Sequence, residues 1–170
     1  EMDWRGYQGL YPGIGGNLSM WLLYWWQNIQ SPNICMNLQF SGQCINDWLV
    51  MPAINLPSSD YALSFDLALT NLYDSNPIDN PNGQPDDRFM VIMSESRTMA
   101  NSIILREWNN TGSPDSFNAI PASGSHVTIP LNFSGIRYIA FYGESTIPDN
   151  GLHDLFLDNV RICAPSGVSQ

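Results

Sequence analysis

Residues 46–69, NDWLVMPAINLPSSDYALSFDLAL, decide the fold of this chain. Trp48-Leu49-Val50 reads as a strand stopped at Pro52. Ile54 and Leu56 run on to Pro57, and Ser58-Ser59-Asp60 turns the chain into a second strand, Tyr61 to Leu69. There Leu63, Phe65, Leu67 and Leu69 alternate with Ser64, Asp66, Ala68 and Thr70. A period of two places the first set on one face of the strand and the second on the other. A strand with one apolar face needs a layer to cover it, which predicts two packed sheets.

The pattern recurs on both sides. Residues 1–17 are rich in glycine and aromatics without a period, an irregular entry segment with room for a short edge strand. Met20 to Trp26, MWLLYWW, is apolar on both parities and reads as a strand covered on both faces. Alternation around Gln39, Ser41 and Gln43 suggests another strand. Residues 73–87, with three prolines and four aspartates, form a loop. Strands follow at Arg88–Ser94, Ile103–Trp108, His126–Leu131, Ile136–Tyr142 and Asp154–Cys163. About eight or nine short strands without a substantial helix predict an all-β chain, an antiparallel β-sandwich of jelly-roll type. The length suits a single domain over residues 1–163, with residues 164–170, APSGVSQ, as a linker.

Charged residues make up only 13% of the chain, about half the usual share. Surface polarity therefore comes from amides, hydroxyls and turns, which suits a secreted or cell-surface module. The net charge of −10, with six arginines and no lysine, argues against nucleic acid, because little here can neutralise phosphates. It argues equally against an anionic membrane surface. No apolar run approaches the roughly 18 residues of a membrane span, so no membrane insertion is expected. The acidity is compatible with Ca²⁺, with neutral sugars, or simply with solubility. Of the three cysteines, Cys35 and Cys44 flank a short segment; they either pair across a hairpin in an oxidising compartment or remain thiols, and Cys163 is left over.

The anchors DWLVMPAINLP (47–57), LSFDLAL (63–69), DRFMVIMSES (87–96), ILREW (104–108), VTIPL (127–131), IRYIAFYGES (136–145) and DLFLDNVRI (154–162) occur in a characteristic order. In this the chain resembles the MAM-like jelly-roll modules of secreted bacterial, Bacteroidetes-type proteins, the group of cleaved-adhesin and choice-of-anchor domains. The resemblance covers residues 44–163. It implies a non-catalytic sandwich, often Ca²⁺-stabilised, binding glycans or surface and matrix proteins within a larger protein and contacting neighbouring modules. Residues 163–170, CAPSGVSQ, look like the entry to a fibronectin type III module. The chain departs from the group's pattern in its tryptophan-rich MWLLYWW run and in lacking an Asp-Gly-Asp-Gly loop, which puts a second calcium site in doubt.

Motifs for catalysis are missing. No Gly-x-Ser-x-Gly pentapeptide occurs, the two histidines lie in separate segments, and no Glu-x-Asp or Asp-x-Glu pair falls on a predicted strand. Calcium, which takes six to eight oxygens, has better candidates. Asp154 and Asp158 share parity on the last strand, and Asp158 falls on the face expected to carry Phe156, Val160 and Ile162. A carboxylate on an apolar face is costly unless paired or metal-bound; Asp66 and Asp47 are possible partners from neighbouring strands. The alternative is Asp158 accepting backbone N–H groups. The loop 74–87 reads as solvated turns. Sugar binding would use exposed aromatics, with Trp4, Tyr7, Trp26 and Trp108 as candidates, although most large aromatics in a sandwich are core. The leading function is thus a glycan- or protein-binding adhesion module, against a structural spacer or, less favoured, a jelly-roll glycoside hydrolase or lyase.

Overall fold

The computed structural model describes residues 4–16, 19–41, 44–79, 86–111, 114–147 and 152–164. The chain runs β1 (Arg5–Gln8), β2 (Trp21–Trp25), β3 (Ile34–Phe40), β4 (Ile45–Val50), β5 (Ile54–Leu56), β6 (Ala62–Asn71), β7 (Arg88–Ser94), β8 (Ile103–Asn109), β9 (Ser125–Pro130), β10 (Gly135–Ser145) and β11 (His153–Cys163). Helical structure among the described residues is limited to 3-10 turns at Trp26–Asn28 and Phe117–Ala119. One sheet has the order β1-β4-β10-β7-β8, with β5 also paired to β10; the other has the order β2-β3-β11-β6-β9. The strand pairs within both sheets are antiparallel. The all-β sandwich expected from alternation is what forms.

Between the sheets Leu63, Phe65, Leu67 and Leu69 of β6 pack with Leu38 and Phe40 of β3, Phe89 and Val91 of β7, and Ile139 and Phe141 of β10. Phe89, Phe65 and Phe141 form a stacked and edge-on cluster at centroid distances of 5.4 and 6.2 Å. Gly143, on the inner face of β10, lets the sheets close. A Cβ there would overlap a Leu38 methyl and come within 3.2 Å of the Phe40 ring.

Three sequence expectations are corrected here. The stretch 46–69 carries a further short strand, β5, because Ile54–Leu56 pairs with β10 between its two prolines. Met20–Trp26 is not covered on both faces: β2 lies at the end of its sheet, with Leu22 49% and Leu23 73% exposed. Its double apolar parity therefore marks an open edge. Cys35 and Cys44 do not pair. A hairpin would need β3 and β4 to be neighbours, but the chain crosses from one sheet to the other between them. Cys35 is buried and bonds the Tyr24 carbonyl, while Cys44 is exposed and bonds the Thr146 carbonyl. Burial pushes the Cys35 thiol up to about 12, which removes its thiolate reactivity. Of the fibronectin-type entry expected at residues 163–170, only Cys163 and Ala164 are among the described residues, Cys163 closing β11; residues 165–170 lie outside them.

Candidate ligand-binding face

The outer faces of the two sheets are finished differently. Over the six-stranded sheet Trp48, Val50, Met90, Ile92, Ala140 and Tyr142 form a second apolar layer, covered by Tyr7, Tyr11, Ile14 and Met99. Trp48 Nε1 donates to the Gly9 carbonyl at 2.6 Å, and the Tyr11 ring stacks on Trp48. Over the five-stranded sheet the apolar cover is smaller, with Tyr24 and Trp26 lying on Cys35, Ala68 and Phe156. Beyond it the face turns polar and accessible at Asp66, Asp158, His126 and Arg161.

A bulge in β11 builds this polar patch. The register with β6 shifts between Asp158 and Arg161, and Asn159 takes φ 51°, the left-handed region that asparagine tolerates. The extra residue turns Val160 and Ile162 inward against the core while Asp158 stays outward with Phe156. Asp158 is therefore not the one carboxylate on an apolar face, as strict alternation implied. It sits opposite Asp66 of β6. Like charges directly across a strand pair repel, and amide and imidazole donors offset this. Asn159 donates its backbone N–H to Asp158 Oδ1 at 2.7 Å and its Nδ2 to Asp66 Oδ2 at 2.8 Å. Asn33 Nδ2 donates to Asp158 Oδ2 at 3.0 Å, and His126 Nδ1 lies 2.7 Å from Asp66 Oδ1. Partial burial pushes Asp66 up, but the His126 and Asn159 hydrogen bonds and the His126 and Arg161 charges outweigh it and hold its carboxyl below the ordinary range. His126 is 61% exposed, leaving its other nitrogen free to face a ligand.

Beside the pair stands Trp26, edge-on to Phe156 with centroids 6.1 Å apart. Trp26, Asp66, Gly124, Ser125 and His126 line a cavity of about 270 Å³. Gly124, with φ 85°, is held against the indole; a Cβ there would lie 3.0 Å from it.

Asp154 has a separate role next door. It is fully buried, and its oxygens accept from Asn37 Nδ2 at 3.2 Å, Asn28 Nδ2 at 2.9 Å and the Tyr73 N–H at 2.8 Å. Asn28 belongs to the same 3-10 turn as Trp26, so the Asp154 carboxylate positions the indole through that turn. Four oxygens converge within 3.5 Å of Asn28 Nδ2: Thr70 Oγ1, the carbonyls of Asn71 and Asp74, and Asp154 Oδ2. An amide has two hydrogens for four acceptors. Among the described residues the buried Oδ1 atoms of Asn28 and Asn37 have no hydrogen-bond partner. Carboxylate and carbonyl oxygens around an amide that can rotate are a donor set suited to a hard cation such as Ca²⁺. Among the described residues no three His, Cys, Asp or Glu side chains form a metal cluster, so a cation here would depend on carbonyl and amide oxygens.

The other sequence candidates lie elsewhere. Asp47 is on the six-stranded sheet, buried, with its carboxylate accepting from the Met20 N–H at 2.6 Å; burial pushes its pKa up. Trp4 stacks on Phe141 at 6.1 Å and borders a second hollow of about 480 Å³ with Leu23, Ile34, Met36, Leu157 and Val160. Tyr7 is half-buried in the second apolar layer. Trp108 is a core residue, packed on Phe89 and Phe65 with Arg106 over its outer face at 4.6 Å. Of the eight named candidates, then, Asp66, Asp158 and Trp26 come together, with Asp154 supporting them. Sequence reasoning missed His126, Asn159, Asn33 and Asn28. The one available signal was His126 at the start of a strand able to face Asp66.

No protein-family model and no curated protein matches this sequence. Solved structures do match in fold. The K1 and K3 cleaved adhesin domains of Lys-gingipain from Porphyromonas gingivalis W83 superpose with TM-scores of 0.55. They are 20% and 19% identical, over 96% and 95% of this chain and 91% of each of theirs. The carbohydrate-binding module TmCBM61, solved in complex with β-1,4-galactotriose, superposes with a TM-score of 0.53 at 12% identity, over 95% of this chain and 88% of that one. At these identities the likeness is one of fold, and the fold this chain shares is that of cleaved adhesin domains and carbohydrate-binding modules.

Proposed function

We propose that this chain is a non-catalytic, extracellular carbohydrate-binding module that holds a saccharide on the outer face of its five-stranded sheet. The observation that carries this is the Asp66–His126 pair beside Trp26, over a cavity on the sheet face left polar and accessible. An indole receives the C–H face of a pyranose, while ionised carboxylates and an imidazole exchange hydrogen bonds with its hydroxyls. The galactotriose complex of TmCBM61 shows that a sandwich of this fold can serve such a ligand. Calcium belongs to the proposal as a brace: Asp154, the Asn71 and Asp74 carbonyls and the Asn28 amide oxygen would hold it, locking the turn that carries Trp26.

The facing carboxylates invite comparison with a glycosidase. That chemistry needs an ionised carboxylate free to act as base or nucleophile, whereas both oxygens of Asp66 are already taken by His126 and Asn159. The pair suits binding. A second reading, adhesion to a protein or a neighbouring module of the same chain, is favoured by the exposed Leu22 and Leu23 of β2 and by Ile34, 48% exposed, at the Trp4 hollow.

The test is a glycan array followed by calorimetry. Neutral oligosaccharides should bind, and Trp26→Ala and Asp66→Asn should each weaken binding about tenfold or more. Saccharide binding insensitive to both variants would reject this face, and capture of proteins alone, abolished by Leu23→Asp, would favour the adhesion reading.

A further inference from the structure

A third cavity, about 270 Å³, opens at the end of the six-stranded sheet, between the β7 exit, the β8 entry and the approach to β10. Phe133 lines it, with the Arg137 guanidinium 5.7 Å from the ring centroid. The Arg137 side chain is 16% exposed and faces a single ion-pair partner among the described residues, Glu95 at 3.2 Å, whose side chain is 80% exposed. An ion pair with so exposed a partner contributes little, so Glu95 can swing out into water.

The opposite wall is rigid. Ser94 Oγ donates to the Ala100 carbonyl at 2.6 Å and receives the Ser96 N–H at 3.0 Å. Met99 plugs the second apolar layer, fully buried. Met99 and Asn101 both take left-handed φ values, 56° and 52°. Such conformations in non-glycine residues persist where surrounding structure over-determines them, and they cluster at ligand clamps.

The geometry points to this cavity as a second binding site, for a carboxylated pyranose of the uronic-acid class. The ligand's carboxylate replaces that of Glu95 on Arg137, in the planar two-point geometry guanidinium favours. Its ring lies against Phe133 and Ile103, with Ser96 and Asn101 at its hydroxyls. This inference rests on the reading of the chain as a glycan binder but uses none of the residues of the Trp26 face.

The test titrates methyl β-D-glucuronoside, methyl β-D-glucoside and N-acetylphenylalanine into the intact chain and its variants. The glucuronoside should bind in preference to the neutral glucoside. Arg137→Gln should weaken it about tenfold or more. Glu95→Gln, at an exposed position, should tighten it about threefold by removing the competing carboxylate. Trp26→Ala should leave it unchanged, so that loss of the first face and loss of this site are read separately. Equal binding of acidic and neutral glycosides would overturn the proposal. So would indifference to Arg137→Gln, or weaker binding in Glu95→Gln. Preference for N-acetylphenylalanine would overturn the saccharide assignment.

Discussion

The outer faces of the two sheets present the same kind of surface to opposite ends. Above the six-stranded sheet the N-terminal segment lays Tyr7, Tyr11 and Ile14 on Trp48 and Tyr142, and aromatic area becomes stability. Above the five-stranded sheet one indole from a short turn covers Phe156, and next to it two aspartates face each other in partial contact with water. Both faces carry a tryptophan with a defined role. Trp48 is sealed with its N–H satisfied by a carbonyl, and Trp26 is left half-open beside hydrogen-bonding side chains. Burial decides which aromatic serves the fold and which can serve a ligand.

The sharpest way to break this contrast is to truncate each indole. Trp48→Ala should destabilise the chain by about 3–5 kcal/mol, seen as a lower denaturant midpoint. Trp26→Ala should cost about 1 kcal/mol, because the ring is already half-solvated, and should act on saccharide affinity instead. Equal losses of stability would make the two faces equivalent and sink the comparison.

Two aspartates repeat the contrast in their titration. Asp87, between the sheets, is 1% exposed; among the described residues its oxygens and both ring nitrogens of His153, 3.8 Å away, have no hydrogen-bond partner. Burial pushes its carboxyl from 3.8 up to about 7. Between those values the folded chain binds the extra proton, so stability falls as pH rises from about 4 to 7 and stays low above. Asp87→Asn should relieve on the order of 4 kcal/mol at pH 8, measured by urea unfolding at pH 5 and 8. A gain equal at both pH values would refute the assignment.

Asp154→Ala should cost about 1–3 kcal/mol by stranding buried donors from Asn28, Asn37 and Tyr73. With Ca²⁺ bound there, EDTA should lower the melting temperature of the parent chain and not of the variant. An EDTA effect that survives in Asp154→Ala would place the cation elsewhere, and no EDTA effect would remove calcium from the account. The smallest change is expected at Asp66. Its carboxyl is depressed, so its contribution is present above pH 4 and lost as pH falls through the folded value. Asp66→Asn should flatten that acid limb by under about 1 kcal/mol, since the pair is largely solvated.

Alternation along single strands was enough to read the sandwich and most of its core. Leu63, Phe65, Leu67 and Leu69 point inward as their period requires, and the β7 and β10 anchors do the same. The period failed at β11, where the Asp158–Arg161 bulge shifts the register and sends Val160 inward. It also failed for MWLLYWW, whose apolar parity says nothing about whether a neighbouring strand arrives to cover it. Trp108 illustrates the limit for single aromatics, because composition cannot tell an indole in the core from one at the surface.

By itself, then, the order of residues determined the strands, their apolar faces, the acidic surface and the absence of familiar catalytic motifs, because each of these depends on spacing along one chain. The tertiary structure decided what meets what. It set Asp66 opposite Asp158, brought His126 and Trp26 to them, and gathered four oxygens around Asn28 from segments up to 126 residues apart. The register of neighbouring strands and the packing of a turn on a sheet are long-range choices, fixed by how the whole core closes.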